Sequence, residues 1–133
     1  MIRMILAVVL AFHLAGPARA QTDDVQGVIG AQIEAFQRDD FVSAFTFASP
    51  MIRGVFGTPE RFGMMVQQGF PMVWRPADVQ YLEQTERGGL TYQKVLIQDA
   101  AGAYFALEYE MLATPEGWQI NGVQFLEDPA VAA

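Results

Sequence analysis

The side chains of this protein that could do acid–base or anion-binding chemistry are carboxylates, tyrosines and arginines. The sequence of 133 residues contains no cysteine and a single histidine, His13. Thiol nucleophiles, disulfides and thiolate metal sites are therefore excluded. An imidazole base could come only from His13, which lies in an apolar N-terminal run. Any chemistry elsewhere in the chain has to use carboxyl, hydroxyl or guanidinium groups.

Three arginines lie among large apolar side chains in the middle of the chain. Residues 41–77 contain Arg53, Arg61 and Arg75 against Glu60 alone, a net charge of +2. Guanidinium groups bind carboxylates bidentately, and aromatic and thioether side chains bury apolar tails. We therefore predict a site for a small organic anion or amphiphile, formed by Arg53, Arg61, Phe62, Met65, Phe70, Trp74 and Arg75. The alternative is that the arginines pair with nearby acids and the apolar residues form core or a dimer contact.

Catalysis would require a carboxylate working with one of the tyrosines, Tyr81, Tyr92, Tyr104 or Tyr109. A buried carboxyl against an apolar wall can have its pKa raised and then transfer protons. Asp99 is the best single candidate on a predicted strand. It precedes Ala100, Ala101 and Gly102, however, which is typical of an exposed turn. We predict no catalytic residue.

Two acidic pairs also call for an interpretation. Asp39 and Asp40 interrupt a helical pattern, and we predict that an aspartate caps the helix that begins at Phe41. Glu108 and Glu110 share one face of a predicted strand, where no third ligand completes a hard-metal site. We interpret them as an exposed or interface face, and we expect neither a metal ion nor a cofactor.

The first 20 residues have the pattern of a cleavable signal peptide. Arg3 supplies the positive start, residues 4–15 are almost entirely apolar, and Ala18-Arg19-Ala20 is a small-x-small cleavage motif. A membrane anchor is the alternative, but twelve helical residues span about 18 Å against a hydrocarbon core of about 30 Å. We predict cleavage between Ala20 and Gln21, leaving a periplasmic or secreted protein without a membrane anchor.

Residues 21–133 are predicted to be one acidic domain. They retain all 15 acidic residues but only six of the eight basic ones, a net charge of −9. Nucleic acid and anionic membrane surfaces are poor partners for such a chain. A length of 113 residues suits one hydrophobic core rather than two.

The first half of this domain has helical periodicity. Apolar residues from Val25 to Phe36 recur at the three-and-four spacing of an amphipathic helix. Ser49-Pro50 and Thr58-Pro59 each place an N-cap before a proline at the first helical position. Pro71 and Pro76 bracket a connection, residues 72–75, in which we expect no helix.

From Ala77 onward the apolar period falls to two, which predicts half-buried strands. Turns at Gly88-Gly89, Ala101-Gly102 and Pro115-Glu116-Gly117 divide the region into four strands. The alternation of apolar and polar residues shifts by one position between Ile120 and Val123. A bulge at Asn121-Gly122 would place the apolar residues before and after it on the same face of the sheet. The alternative is an Asn-Gly hairpin that splits this strand. The sequence thus predicts an α+β fold in which N-terminal helices pack on a four-stranded antiparallel sheet.

Several motifs resemble known families. Residues 33–36 (IEAF), 39–41 (DDF) and 117–120 (GWQI) resemble the nuclear transport factor 2-like, or cystatin-like, superfamily, which includes SnoaL-like proteins. Residues 45–50 (FTFASP), 56–62 (FGTPERF) and 69–76 (GFPMVWRP) resemble the bacterial family called domain of unknown function 4864. The resemblance implies a curved sheet wrapped by helices into a cone with a central cavity, and it implies no established activity.

Three functions remain open at this point, because the superfamily includes binding, catalytic and non-catalytic members. We expect a non-catalytic protein that binds a small apolar or amphiphilic anion. One alternative is a cell-envelope interaction module that forms a homodimer through the outer sheet face, with Tyr92 and Tyr104 in the contact. The other is an isomerase or dehydratase that uses carboxylates and tyrosines.

Overall fold

The computed structural model describes residues 17–127, with side chains from residue 21 onward. Helices precede strands in this part of the chain, as the change of period predicts. The helices are α1 (Pro17–Gln37), α2 (Phe41–Thr46), α3 (Pro50–Phe56), α4 (Pro59–Gly69) and α5 (Pro71–Trp74). The strands are β1 (Pro76–Arg87), β2 (Leu90–Asp99), β3 (Tyr104–Thr114) and β4 (Gly117–Phe125). The signal-peptide prediction falls largely on residues outside the described range.

Side-chain caps begin three of the helices. Asp40, Ser49 and Thr58 each accept a hydrogen bond from the backbone N–H three residues later. These bonds satisfy N–H groups that have no partner within the helix. Gly57 ends α3 with a φ of +80°, a conformation that glycine adopts without a steric cost. The predicted caps are confirmed.

The connection between Phe70 and Pro76 was expected to be non-helical, and this expectation is wrong. Residues 71–74 form one helical turn, α5. Pro71 is at its first position, where the missing N–H is not needed. Phe70 and Arg75, which precede the two prolines, both leave the helical region at φ −137°. The prolines therefore bound a single turn rather than preventing it.

The four strands form one antiparallel sheet in the order β1-β2-β3-β4. Gly88 and Gly89, with φ of +58° and +80°, make the two-residue turn between β1 and β2. Asp99 shapes the next turn, because its Oδ1 accepts hydrogen bonds from the N–H groups of Ala101 and Ala103. The interpretation of Asp99 as a turn residue is confirmed.

A bulge interrupts the pairing of β3 with β4. On β3, Glu110 pairs with Gly122. The next residue, Met111, pairs with Ile120, so Asn121 is the extra residue on β4. The predicted bulge is confirmed, because the apolar residues on both sides of it pack on the same core. These residues are Trp118, Ile120 and Val123.

The core lies between one face of the curved sheet and the helices. Helix α1 contributes Val25, Ile29 and Phe36, which are buried at the predicted spacing. The sheet contributes alternate residues of β2 and β3, such as Ile97 and Leu107. The fold is therefore α+β, with helices covering one face of an open antiparallel sheet.

The segment between α2 and α3 is attached to the edge of the sheet. The Ser49 N–H donates to the Ile120 carbonyl at 2.8 Å, and the Ile120 N–H donates to the Phe47 carbonyl at 2.8 Å. These bonds pair part of the exposed edge of β4 and place α3 beside the bulge. No helix in residues 17–127 is long and apolar enough to span a membrane.

Candidate functional site

An apolar cavity of about 240 Å³ lies between the helices and the inner face of the sheet. Helices α1, α3, α4 and α5 contribute lining residues, and β3 and β4 form its floor. Its largest lining side chains are aromatic or long aliphatic. The lining residues are Gln32, Phe36, Ala48, Ile52, Phe56, Phe62, Met65, Val66, Phe70, Val73, Tyr109, Ile120, Gly122 and Val123.

Helix α4 forms one wall through residues that repeat every three or four positions. Phe62, Met65 and Val66 all line the cavity. The Phe62 ring has its centroid 5.8 Å from that of Phe36 and 5.8 Å from that of Phe56, so it holds α4 against α1 and α3. This aromatic cluster supports one side of the cavity.

The bulge in β4 shapes the opposite wall. By shifting the alternation at Asn121, it allows both Ile120 and Val123 to face the cavity. The Asn121 side chain is held on both sides: Ser49 Oγ donates to Oδ1 at 2.7 Å, and Nδ2 donates to Glu110 Oε2 at 2.7 Å. Side-chain hydrogen bonds thus lock the position of the bulge relative to α3.

Two lining residues are polar. Gln32 is buried, and its Nε2 donates to the Ala44 carbonyl at 3.1 Å. Tyr109 is fully buried, and its hydroxyl has no hydrogen-bond partner in the part of the chain that the structure describes. Burial raises the pKa of Tyr109, with a smaller contribution from Tyr81, so its hydroxyl stays protonated. The lining is therefore almost entirely apolar, and the buried Tyr109 hydroxyl has no partner among the described residues.

Three of the seven predicted ligand-binding residues line this cavity. They are Phe62, Met65 and Phe70. The structure does not bring Trp74 and Arg75 into the lining, because both turn toward Asp39 at the end of α1. Sequence reasoning missed Ala48, Val66 of α4, Val73 of α5 and the lining residues of α1, α3 and the sheet. The period-two pattern did place Tyr109 on the core face of β3, but it carried no information about a cavity.

Arg75 and Trp74 form a cluster around one carboxylate. Arg75 Nη2 donates to both oxygens of Asp39, at 2.9 and 3.0 Å, and Trp74 Nε1 donates to Oδ1 at 2.8 Å. Arg75 Nη1 also donates to the Phe36 carbonyl at 2.8 Å. The hydrogen bond from Trp74, followed by that from Arg75, lowers the pKa of Asp39. The donors of Arg75 are thus largely used within the fold.

Arg53 and Arg61 differ from Arg75 because they form no ion pair with the described residues. Arg61 lies exposed on α4. Arg53 is half-buried on α3, next to the lining residue Ile52. Its Nε is buried and donates no hydrogen bond to any described residue. Arg53 therefore carries both a positive charge and an unused donor on a helix that forms the cavity wall.

A second, polar pocket of about 200 Å³ lies on the outer side of the sheet. Arg87 Nη2 donates to Glu108 Oε1 at 2.6 Å, and its guanidinium lies 3.9 Å from the centroid of the Tyr92 ring. The Tyr92 hydroxyl donates to Glu110 Oε1 at 2.9 Å. Glu108 is only 9% exposed, with Arg87 bonded to it, and Glu110 is half-buried. Of the two alternatives, an exposed or an interface face, the freely exposed one is therefore wrong for Glu108, and the interface one stays a prediction.

The polar groups of this second pocket are bonded to one another, and no three metal-binding side chains come together within residues 21–127.

The two tyrosines predicted to lie in a contact on the outer sheet face, Tyr92 and Tyr104, are far apart. Tyr92 lies opposite Glu110, whereas Tyr104 lies six residues before Glu110 on β3. That separation is about 20 Å along the strand.

Comparisons with known proteins identify the family. No curated protein and no solved structure matches the chain. One family profile does match, over residues 18–133, and its description is Domain of unknown function (DUF4864). The match spans the helices, the sheet and the cavity between them. The family suggested by the motifs at residues 45–50, 56–62 and 69–76 is thereby confirmed, and the chain belongs to the DUF4864 family.

Proposed function

We propose that this protein is a non-catalytic binding domain that holds the apolar part of a small molecule in the cavity beneath α4. The carrying observation is an apolar cavity of about 240 Å³ between the helices and the inner face of the sheet. Protein interiors normally leave few voids larger than a water molecule. A dry apolar cavity of about 150 Å³ is known to accept benzene. A small aromatic compound or a short alkyl chain would therefore fit this one.

We propose further that the ligand is an amphiphile with an anionic head. None of the described lining residues is charged, so a carboxylate inside the cavity would have no counter-ion. Arg53 supports a head group placed at α3, because its charge is unpaired among the described residues and its buried Nε lacks an acceptor. A carboxylate there would supply a charge-assisted hydrogen bond.

The test uses three probes with one alkyl chain and different head groups: hexanoate, 1-hexanol and hexylamine. Calorimetric titration of the purified chain should show the tightest binding for hexanoate. Arg53→Gln should weaken the affinity for hexanoate roughly tenfold and change the affinity for 1-hexanol by less than about twofold. Lys94→Gln is the matched control, since Lys94 pairs with Glu83 away from the cavity. Equal losses from both variants would refute a specific role for Arg53.

Filling the cavity tests the binding site itself. Val66→Phe places a phenyl ring in the lining of α4 and should abolish binding of all three probes. Met64→Phe adds the same ring to the exposed side of the same helix, where Met64 is 55% exposed, and should leave binding unchanged. Retained binding in folded Val66→Phe protein would place the ligand elsewhere and overturn the proposal.

Export is part of the same proposal. Cleavage between Ala20 and Gln21 would remove the first four residues of α1 and leave Gln21 at its beginning. Gln21 Nε2 donates to Glu86 Oε1 at 2.9 Å and to Thr91 Oγ1 at 3.3 Å, which would hold the shortened helix on the sheet. Intact-mass analysis of the periplasmic or secreted fraction should give a chain that begins at Gln21. A full-length chain in the cytoplasm would contradict this.

Homodimerisation through the outer sheet face is the second candidate function. Tyr104 favours it, because this large aromatic side chain is 52% exposed on that face. Light scattering coupled to gel filtration should then show a dimer that Tyr104→Ser converts to a monomer. A monomer for the unmodified chain at micromolar concentration would remove this candidate.

A further inference from the structure

The outer edge of β4 carries backbone groups that point away from the sheet. Phe125 pairs with Leu107 on β3, and the N–H of the following residue, Leu126, donates to the Ala106 carbonyl at 2.9 Å. In an antiparallel ladder this pattern makes Leu107 and Phe125 a non-hydrogen-bonded pair, so the N–H and C=O of Phe125 point outward. The same alternation turns the N–H and C=O of Val123 outward. Both residues therefore present a backbone donor and acceptor at the sheet edge.

These outward groups have no partner within the described part of the chain. The previous outward residue, Ile120, uses its N–H on the Phe47 carbonyl and its C=O on the Ser49 N–H. Beyond Ile120, no described group bonds to the outward N–H and C=O of Val123 or Phe125. An unpaired edge of this kind binds a further extended group through main-chain hydrogen bonds.

The free edge lies at the mouth of the apolar cavity. The cavity opens where its lining residues are only partly buried, and these residues are on α3, α4 and β4 and at Phe70. They are Ile52, Phe56, Met65, Phe70, Gly122 and Val123. Helix α3 is on the same side of β4 as the free edge, because the segment before it pairs with Ile120. Val123 is therefore on the rim of the mouth.

Phe125 continues this rim along the strand. Its ring stacks on that of Phe70, with centroids 5.0 Å apart and planes inclined by 5°. Phe70 lines the cavity, whereas Phe125 is 49% exposed. A ligand that fills the cavity and leaves it through this mouth would thus meet an aromatic surface and, next to it, the free backbone groups of Val123.

A secondary amide has the hydrogen-bonding groups that this edge lacks. It carries one N–H donor and one C=O acceptor with the geometry of a peptide, and these match the C=O and N–H of Val123. Esters and carboxylates offer acceptors only, so they would leave the Val123 C=O unpaired. The lining of the cavity contains no charged residue, so a charged head group would remain outside it.

We propose that the ligand is an acyl amide of the N-acyl amino acid type, whose acyl chain fills the cavity and whose amide pairs with the backbone of Val123. This inference rests on the proposed binding function and adds a chemical class to it. The carboxylate of such a compound follows its amide and is left outside the cavity, as a head group for Arg53 on α3 requires. Val123 determines specificity through its main chain rather than its side chain.

The first experiment compares hexanoylglycine with hexanoyloxyacetate, which has an ester oxygen in place of the amide N–H. Chain length and carboxylate are the same in both probes. Calorimetric titration of the purified chain should show about tenfold tighter binding of the amide. A site without an acceptor for the N–H would favour the ester, because the amide would lose its hydration without replacement.

Hydrogen exchange of the backbone measures where the amide binds. In the free protein the N–H groups of Val123 and Phe125 should exchange faster than that of Gln124, which points toward β3. Hexanoylglycine at ten times its dissociation constant should slow the exchange of Val123 about tenfold. Gln124 is the matched control, and its exchange should change little.

The outcomes separate this inference from the proposed function. If both probes bind and the ester binds as tightly as the amide, the amide pairing is wrong, while cavity binding stands. Slow exchange of Val123 in the free protein would also overturn the pairing, since its N–H would already have a partner. If hexanoate binds and neither new probe does, only this inference fails. If none of the three binds, the proposed function fails with it.

Discussion

Arg75 binds both carboxylate oxygens of Asp39, at 2.9 and 3.0 Å, and so ties the beginning of the sheet to the end of α1. Asp39 has a φ of +54°, in the left-handed region that non-glycine residues seldom adopt. Its side chain also accepts a hydrogen bond from Trp74. The ion pair therefore stabilises an uncommon backbone conformation at Asp39. It also explains why Arg75 does not line the cavity.

Arg75→Gln should lower stability without changing ligand binding. The substitution removes the bidentate contact to Asp39 and the bond to the Phe36 carbonyl. We expect the unfolding temperature to fall by a few degrees. The affinity for hexanoate should stay within about twofold, because no contact with the cavity is lost. Scanning calorimetry and titration of the same samples check this, with Lys94→Gln as the control. A selective loss of affinity for hexanoate would show that Arg75 takes part in ligand binding.

The Asp39 cluster should also make stability depend on pH in the acid range. The hydrogen bonds from Trp74 and Arg75 lower the pKa of Asp39 in the folded state below its usual value near 3.8. The stabilisation is therefore fully present above that value and is lost as the pH falls through the lowered folded pKa. Asp39→Asn tolerates the positive φ but cannot titrate.

Urea unfolding between pH 6 and pH 2.5 measures this effect. The difference in unfolding free energy between the unmodified chain and Asp39→Asn should be constant near pH 6 and should become smaller as the pH falls toward 2.5. A difference independent of pH throughout that range would mean that the Asp39 charge contributes nothing.

Ser49→Ala should be more destabilising than the corresponding change at another helix cap. Ser49 is fully buried, accepts the Ile52 N–H and donates to Asn121 Oδ1 at 2.7 Å, so it supports both α3 and the bulge. Thr58 caps α4 from an exposed position and has one such bond. We expect a loss of about 2–3 kcal/mol for Ser49→Ala and about 1 kcal/mol for Thr58→Ala, measured by urea unfolding. Equal losses would show that the bond to Asn121 is not stabilising.

Two glycine-to-alanine substitutions in neighbouring helices should have opposite effects. A Cβ on Gly63 would lie 2.6 Å from Cγ of Phe41, because α4 approaches that ring closely. A Cβ on Gly54, in α3, would meet no atom within 4 Å among the described residues. We expect Gly63→Ala to cost about 1–2 kcal/mol and Gly54→Ala to stabilise by about 0.5–1 kcal/mol. Stabilisation by both would mean that Phe41 moves aside freely.

Local features of this protein followed from the sequence because they depend on residues close together in the chain. Ser49 and Thr58 cap helices through an N–H three residues away. Gly88 and Gly89 make the tight turn through their own dihedral angles, and Asp99 bonds to residues two and four positions later. The bulge was also predictable, since the period-two alternation slips by one residue at Asn121. These interactions are short-range, so their residue types and spacing suffice.

Features that join distant segments were decided only by the tertiary structure. Asp39 and Arg75 are 36 positions apart. Nothing in the local sequence indicates that Arg75 pairs with Asp39 and is not free to bind a ligand. The cavity likewise exists because α1, α3, α4 and the bulged strand meet without filling the space between them. The burial of Tyr109 was evident from alternation on β3, but its unpaired hydroxyl depends on what surrounds it. Sequence determined most of the elements and their inward faces, although not the single turn of α5. Packing determined which charges are paired and where space remains.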